Sequence, residues 1–145
     1  METEIEVARE IEDIHDAFAA WFTASVPADD GTFERLLARR FEAGFTIVPP
    51  HGRATPEREL LDGLRGAHGA DSGLEIRIRN VRLLHEPGDL AIATYEEWQR
   101  TDQPSRPPLT ARTSTVILRK RPAGWGWLHV HETWLPSTDG HPFAT

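Results

Sequence analysis

The spacing of apolar side chains divides the chain into a helical first part and a strand-rich second part. From Glu4 to Ala24 apolar residues recur every three or four positions, which is typical of an amphipathic helix, and we expect it to end near Ser25, before Pro27. A shorter helix is predicted with Thr32 as its cap. The apolar positions of the two helices are Ile5, Ala8, Ile11, Ile14, Phe18, Trp21, Phe22, Phe33, Leu36 and Leu37.

A strand and a third helix are predicted next. Phe41 to Val48 favours a strand that stops at Pro49-Pro50, and Gly44 predicts a bend within it. Thr55 is the expected N-cap of the third helix and Pro56 its first residue. Glycines at positions 66 and 69 end this helix, whose apolar residues are Leu60, Leu61, Leu64 and Ala67.

Four strands joined as a meander are predicted from residue 74 onward. Leu74 to Leu84 alternates apolar and polar residues, but the phase shifts by one residue after Asn80, which indicates a β-bulge. The next strand runs from Leu90 to Arg100, and a long hairpin from Leu109 to Pro136 turns at residues 121–124. Helices followed by antiparallel strands predict one α+β domain over residues 1–145. Its core is expected over about residues 4–136, with a loose polar tail over 137–145.

Both faces of the hairpin carry apolar side chains. In its second strand, alternation predicts one face with Trp125, Trp127, His129, His131 and Thr133, and another with Leu128, Val130 and Trp134. The chain's own helices can cover only one face, so we expect a homodimer through the sheet to cover the other. The pattern leaves open which face points outward; one such patch would contain Ile117, Leu128, Val130 and Trp134.

Composition excludes several classes of function. The formal net charge of −7 argues against nucleic acid as a partner, because phosphate binding needs a positive surface. The chain has no cysteine, which excludes disulfides and thiolate chemistry. No stretch has the length and hydropathy of a membrane span or a signal core, so we expect a cytoplasmic protein with no membrane partner.

The order of elements and several short motifs resemble the nuclear transport factor 2-like superfamily, in particular its SnoaL-like branch and the association domain of calcium/calmodulin-dependent protein kinase II. The matching residues are Arg112-Thr113, Val116 to Arg119, Gly124-Trp125, His129-Val130-His131 and Thr133. Trp125 or Trp127 can match the family's tryptophan, and with Trp127 the two closing positions become His131 and Thr133.

This resemblance implies a cone-shaped, cystatin-like fold with N-terminal helices packed on a curved antiparallel sheet and a cavity between them. It implies binding of a small, partly apolar molecule, with or without its turnover by a cofactor-independent isomerase, dehydratase or cyclase. The alternative that it implies is a non-catalytic homo-oligomerisation or ligand-sensing module. Fold alone does not decide between these functions.

Six polar residues in apolar surroundings are candidates for a site in such a cavity: His15, Tyr95, Glu97, Arg112, His129 and His131. His15 lies on the buried face of the first helix, either as a core histidine with a satisfied hydrogen bond or as a general base. Tyr95 and Glu97 share one strand face, and Glu96 and Trp98 share the other, so one of the two glutamates must point inward or into an interface. Arg112 on the next strand is the expected ion-pair partner of that glutamate. In a catalytic role, a histidine or Glu97 would be the base, and Tyr95 or Arg112 would stabilise an oxyanion.

His129 and His131 also allow a metal hypothesis, which we consider the weaker one. Alternate residues of a strand lie about 6 to 7 Å apart on one face. A metal site needs a third ligand, and only Glu97 or His51 is a plausible one. We therefore expect no metal ion and no cofactor, and elemental analysis would test this expectation.

Overall fold

The computed structural model describes residues 2–143, and in this range three α-helices pack on one face of a curved, six-stranded sheet. The helices are α1 (Glu2–Phe22), α2 (Asp30–Leu36) and α3 (Glu57–Arg65), with a short 3-10 helix at Ala38–Arg40. The strands are β1 (Phe41–Val48), β2 (Thr55–Pro56), β3 (Glu75–His85), β4 (Leu90–Arg100), β5 (Leu109–Lys120) and β6 (Trp125–Trp134). The predicted α+β class is confirmed.

The sheet has the strand order β2-β1-β6-β5-β4-β3. Strands β3 to β6 form the predicted antiparallel meander. Strand β1 joins β6 in parallel, so the sheet as a whole is mixed rather than purely antiparallel. Strand β2, helix α3 and the first three strands of the meander lie between β1 and β6 in sequence, and a connection of this length allows the parallel pairing.

The main core lies between α1 and the inner face of the sheet, defined here as the face that α1 covers. Val7, Ile11 and Ile14 on α1 are at most 1% exposed. They pack with β4, where Ala91 and Ala93 are fully buried, and small side chains there let the helix approach the sheet. A second cluster surrounds Trp21 and Phe33, and its buried residues include Ala17, Leu37 and Leu64.

Two irregularities were visible in the sequence. Asn80 has a φ of 55°, and the pairing of β3 with β4 shifts register between Arg79 and Arg82, so the predicted bulge is confirmed. Gly44 has a φ of 83° and lies where the pairing of β1 with β6 shifts register, which confirms the predicted bend. Both positions sharpen the local twist of the sheet.

A further bulge, at Leu128, was not predicted. Trp127 pairs with Leu118, but His129 pairs with Ile117, so Leu128 is an extra residue between them. One extra residue exchanges the faces of everything that follows it. His129, His131 and Thr133 therefore lie on the outer face, opposite to Trp125 and Trp127. The inner face carries Val130, Glu132 and Trp134, so the predicted sharing of faces in β6 is wrong.

The two predicted helix caps are also wrong. Asp29 caps α2 by accepting a hydrogen bond from the Thr32 backbone N–H at 2.7 Å, whereas Thr32 itself is buried within the helix. Thr55 and Pro56 form the short strand β2, and the helix begins one residue later at Glu57. Pro56 occupies the cap position in an extended conformation and provides no side-chain hydrogen bond.

The tail is predicted to be loose over residues 137–145, but its described part, residues 137–143, lies against the outer face of the sheet. Residues 144–145 lie outside the described residues. Phe143 is 6% exposed and packs with Trp98 and Ala111. The guanidinium groups of Arg77 and Arg100 lie 5.6 and 5.0 Å from its ring centroid, in the range of cation–π contacts. The tail therefore covers part of the outer face. Within residues 2–143, no helix has the length and apolar character needed to cross a membrane.

Candidate functional site

A cavity of about 300 Å³ lies between the helices and the inner face of the sheet. Most of its lining is apolar and comes from α1, α3 and the strands: Ile14, Phe18, Phe22, Phe41, Phe45, Ile47, Leu60, Leu64, Leu74, Ile76, Trp127 and Val130. The polar lining residues are His15, Tyr95, Glu97, Gln99, Arg106, Arg112 and Glu132. A mostly apolar chamber with a few convergent polar groups is typical of small-molecule sites.

Cross-strand register brings the polar residues together. Tyr95, Ser114 and Glu132 lie opposite one another on β4, β5 and β6. The next inner-face row, two residues along, consists of Glu97, Arg112 and Trp134. Neighbouring side chains on one face lie about 5 Å apart, so the meander concentrates two carboxyl groups and one guanidinium in a small area.

His15 and Glu97 form a buried ion pair. His15 Nδ1 lies 2.7 Å from the Ile11 carbonyl oxygen, and Nε2 lies 3.0 Å from Glu97 Oε1. A carbonyl oxygen only accepts, so Nδ1 carries a proton, and Nε2 donates when Glu97 is ionised. Burial opposes the charged form of the ring, but the charge and hydrogen bond of Glu97 raise the pKa of His15 above its ordinary value. The imidazolium form is thus favoured.

Glu97 is held as an acceptor on both oxygens. Gln99 Nε2 donates to Oε2 at 2.6 Å, while the Gln99 amide oxygen accepts from Arg106 Nη2 at 2.8 Å. Arg106 is itself held by Asp71, which is 2% exposed, at 2.9 Å. Burial favours the neutral carboxyl, but His15, Arg112 and the Gln99 amide together lower the pKa of Glu97 to about 2.

Glu132 has the opposite environment. Its only hydrogen bond among the described residues comes from Arg112 Nη1, at 3.2 Å from Oε1. Burial and then the negative charge of Glu97 raise the pKa of Glu132 to about 7, although Arg112 acts in the other direction. Two carboxyl groups with widely separated pKa values are the arrangement from which acid and base roles are assigned in enzymes.

Tyr95 remains a neutral phenol across the physiological range. Its side chain is 2% exposed and lines the cavity. Burial, followed by the charges of Glu97 and Glu132, raises the pKa of Tyr95 well above its ordinary value. A neutral phenol is a hydrogen-bond donor, so Tyr95 can donate to an oxygen of a bound molecule.

Four of the six predicted residues meet at the cavity, and two do not. His15, Tyr95, Glu97 and Arg112 line it. His129 and His131 lie on the outer face, where His129 Nδ1 is 2.7 Å from Thr46 Oγ1 and the two imidazole centroids are 6.3 Å apart.

Glu97 is the inward-pointing glutamate, but the expected pairing of that glutamate with Arg112 is wrong, because Glu97 pairs with His15 and Arg112 with Glu132. Glu132 was not among the predicted residues. Its position two residues after Val130 and two before Trp134 was the available signal, since all three share a face. The proposed third ligand Glu97 lies on the face opposite to the two histidines, and residues 2–143 contain no cluster of three metal-ligating side chains.

Comparison with protein families gives one match over nearly the full chain. Residues 8–136 match the family described as sucrose-6-phosphate phosphohydrolase C-terminal. A search of curated proteins finds no match.

Solved structures with the same fold are numerous. A nuclear transport factor 2-like protein of unknown function from Pseudomonas aeruginosa is 29% identical, with a TM-score of 0.80, and the alignment covers 90% of this chain and 98% of that one. A candidate dehydratase of the same fold family from Streptomyces avermitilis is 17% identical, with a TM-score of 0.60 and coverage of 90% and 99%. The calcium/calmodulin-dependent protein kinase II hub homology domain of Chlamydomonas reinhardtii is 15% identical, with a TM-score of 0.69 and coverage of 90% and 97%.

At these identities the last two structures show the fold alone. Together with the first, they confirm the nuclear transport factor 2-like fold that the sequence predicted. The chain belongs to the sucrose-6-phosphate phosphohydrolase C-terminal family and has a nuclear transport factor 2-like fold.

Proposed function

We propose that the chain binds a small, partly apolar molecule in its cavity and, in the manner of SnoaL-like enzymes, moves a proton on that molecule without a cofactor. The observation that carries this proposal is the pair of carboxyl groups in one apolar cavity, with Glu97 held ionised and the pKa of Glu132 raised to about 7. A group that titrates near neutral pH is suited to both accept and return a proton.

In this scheme Glu132 is the base. It removes a proton from a carbon next to a carbonyl group of the substrate and returns it elsewhere, which accounts for isomerisation, dehydration or cyclisation. Arg112 and the neutral Tyr95 donate hydrogen bonds to the oxygen on which negative charge develops. His15 and Glu97 transfer no proton to the substrate in this scheme, because their ion pair and their hydrogen bonds to Ile11 and Gln99 stabilise the charged forms of both.

The lining of the cavity limits the ligand. Aromatic and aliphatic side chains form most of the wall, which fits a partly apolar molecule better than a sugar phosphate. We therefore do not propose a sugar phosphate, the compound in the family's description, as the ligand of this chain.

The test begins with native mass spectrometry of the purified protein, followed by solvent extraction and identification of any retained molecule. That molecule, or a panel of cyclic ketones, is then incubated in D₂O with wild type and with Glu132→Gln. We expect wild type to catalyse deuterium exchange at carbon, and Glu132→Gln to bind the same compound without catalysing exchange. Absence of a retained molecule together with absence of exchange on the whole panel would contradict the proposal.

A second candidate function is a homo-oligomerisation module, favoured by the similarity to hub and association domains. Dimerisation through the outer face is compatible with this role. Inner-row residues such as Val130, which is 3% exposed, belong to the core and do not take part. Sedimentation of the variant Ile117→Glu, whose substitution lies on the outer face, tests this candidate independently of any ligand.

A further inference from the structure

Arg112 has fewer hydrogen-bond partners than its burial requires. The side chain is 16% exposed, and its one hydrogen bond within residues 2–143 is the contact of Nη1 with Glu132. Nε is buried without a partner in the same part of the chain. A guanidinium has five N–H donors, and buried donors are nearly always satisfied. Because Arg112 also lines the cavity, a bound molecule is the available source of acceptors.

Packing holds this guanidinium in place. Trp134 stacks on it, with the Arg112 Cζ atom 4.9 Å from the centroid of the indole ring. The guanidinium is therefore held between an aromatic ring and Glu132. The Arg112 side chain has little conformational entropy left to lose when a ligand binds. A planar, pre-oriented guanidinium matches the two oxygens of a carboxylate better than it matches a single carbonyl oxygen.

The charges around the cavity also favour an anion. The charges of His15 and Glu97 cancel each other, and the positive charge of Arg106 is cancelled by the negative charge of Asp71. Arg112 is compensated only while Glu132 is ionised. When Glu132 holds a proton, these groups together carry one net positive charge, in a chamber with mostly apolar walls. An uncompensated buried cation is costly and strongly favours an anionic partner.

We propose that the ligand of this cavity carries a carboxylate on an apolar body, and that the carboxylate binds Arg112 while Glu132 takes up a proton. This inference rests on the ligand-binding part of the proposed function and names the chemical class of the ligand. A protonated Glu132 cannot remove a proton, so with a carboxylate ligand Glu132 acts as the base only in those complexes in which it remains ionised. Binding of the anion and protonation of Glu132 are linked, because the bound carboxylate adds a negative charge beside Arg112 and thereby favours the neutral form of Glu132. The charged groups that face Glu132 are Arg112 from β5, Glu97 from β4 and His15 from α1, and of the two carboxyl groups Glu132 is the one whose pKa, about 7, allows proton uptake near neutral pH.

Two probes of the same shape test the proposal, 2-naphthoate and the uncharged 2-naphthalenemethanol. Titration calorimetry at pH 7.5 in two buffers of different ionisation enthalpy measures the protons exchanged on binding. We expect naphthoate to bind with uptake of up to one proton, and its affinity to fall as the pH rises above 7. The neutral probe should bind without proton uptake. Glu132→Gln should bind naphthoate with no proton uptake and no pH dependence between 6 and 8.

Arg112→Gln gives the complementary measurement. It should weaken naphthoate by about tenfold or more and leave the neutral probe nearly unchanged. The remaining Glu132 can become neutral in this variant, so folding is preserved, and circular dichroism checks that it is. Arg53→Gln is the matched control, because Arg53 is exposed and does not line the cavity, and it should retain naphthoate binding.

Preference for the neutral probe, naphthoate binding that survives in Arg112→Gln, or no naphthoate binding at millimolar concentration would each overturn the acid class. Binding of the neutral probe alone would leave the apolar ligand proposal standing. Proton-linked naphthoate binding without carbon–hydrogen exchange on any substrate would instead support this inference and contradict the enzymatic function.

Discussion

Glu97 and Glu132 show how two identical side chains in one cavity acquire opposite properties. Each oxygen of Glu97 accepts a hydrogen bond, one from His15 and one from Gln99. Glu132 accepts a single hydrogen bond, from Arg112, and faces the negative charge of Glu97. Both carboxyl groups are buried, but they differ in the number of hydrogen-bond donors and in the charges of their neighbours. These two differences therefore separate their pKa values.

The raised pKa of Glu132 predicts a specific pH dependence of stability. A carboxyl group with a pKa of about 7 in the folded chain and 4.5 in the unfolded chain contributes stability that is complete below pH 4.5 and lost as the pH rises through 7. Glu132→Gln removes this loss, which is on the order of 3 kcal/mol for such a shift. Urea unfolding at several pH values between 4.5 and 8 measures it. The exposed Glu34→Gln is the control, and an unchanged slope in Glu132→Gln would contradict the prediction.

The buried pair of His15 and Glu97 predicts strong coupling between two substitutions. His15→Leu leaves Glu97 buried without its ionic partner and should lower the free energy of unfolding by about 3 to 5 kcal/mol. Glu97→Leu should also destabilise the chain, because His15 Nε2 loses its acceptor. The double variant should be destabilised by clearly less than the sum, as measured by urea unfolding at pH 7. Additive effects would show that the two side chains do not interact in solution.

Strand irregularities decide how far the site can be predicted from the sequence. The bulge at Asn80 can be seen in the sequence, because polar and apolar residues alternate on both sides of it and the alternation shifts by one residue there. The bulge at Leu128 is hidden, because Trp127, Leu128 and His129 are all large and the alternation has no clear phase there. The inward orientation of Glu132 follows from that hidden bulge, and so does the outward orientation of His129.

Helices and long strands were predictable because their apolar periodicity reflects burial against one partner. This periodicity identifies His15, Tyr95, Glu97 and Arg112 as polar residues in apolar surroundings, but it does not decide which face of the sheet lines the cavity. The pairing of charges does not follow from it either, because that pairing depends on cross-strand register and on side-chain reach. The docked tail was missed for a similar reason: its one large apolar residue, Phe143, gives no periodic signal and is held by arginines from β3 and β4.

Asn80 also allows a test of the bulge in β3. Its φ of 55° is unfavourable for side chains with a Cβ atom, and asparagine tolerates it better than alanine. Asn80→Ala and Asn80→Gly both lose the hydrogen bond from Nδ2 to Glu96, which is 2.9 Å long. We therefore expect the glycine variant to be more stable than the alanine variant by about 1 kcal/mol in thermal or urea unfolding. Equal stability, or a more stable alanine variant, would argue against a left-handed residue at this position.

The sheet as a whole separates two kinds of surface. Its inner face forms the core and the cavity, while its outer face combines apolar and polar side chains in rows across β4, β5 and β6. One outer row contains Ile92, Ile117 and His129, and the next contains Thr94, Thr115 and His131. The tail covers the region around Trp98 and Ala111, and no part of residues 2–143 covers these two rows. Ligand binding inside and self-association outside are therefore compatible functions of one domain.

The uncovered rows of the outer face predict that the chain forms a dimer through this face. Ile117 lies near the middle of that face and is half-buried. If two copies pack there about a two-fold axis, Ile117→Glu places two carboxylates close to the axis, in a contact that removes water from both. We expect wild type to sediment as a dimer at micromolar concentration and Ile117→Glu to shift towards the monomer. Ile5→Glu is the matched control, since Ile5 is 60% exposed on α1 and lies away from the outer face, and it should remain a dimer. A wild-type chain that sediments as a monomer, or a dimer that both substitutions weaken equally, would show that the outer face is not the interface.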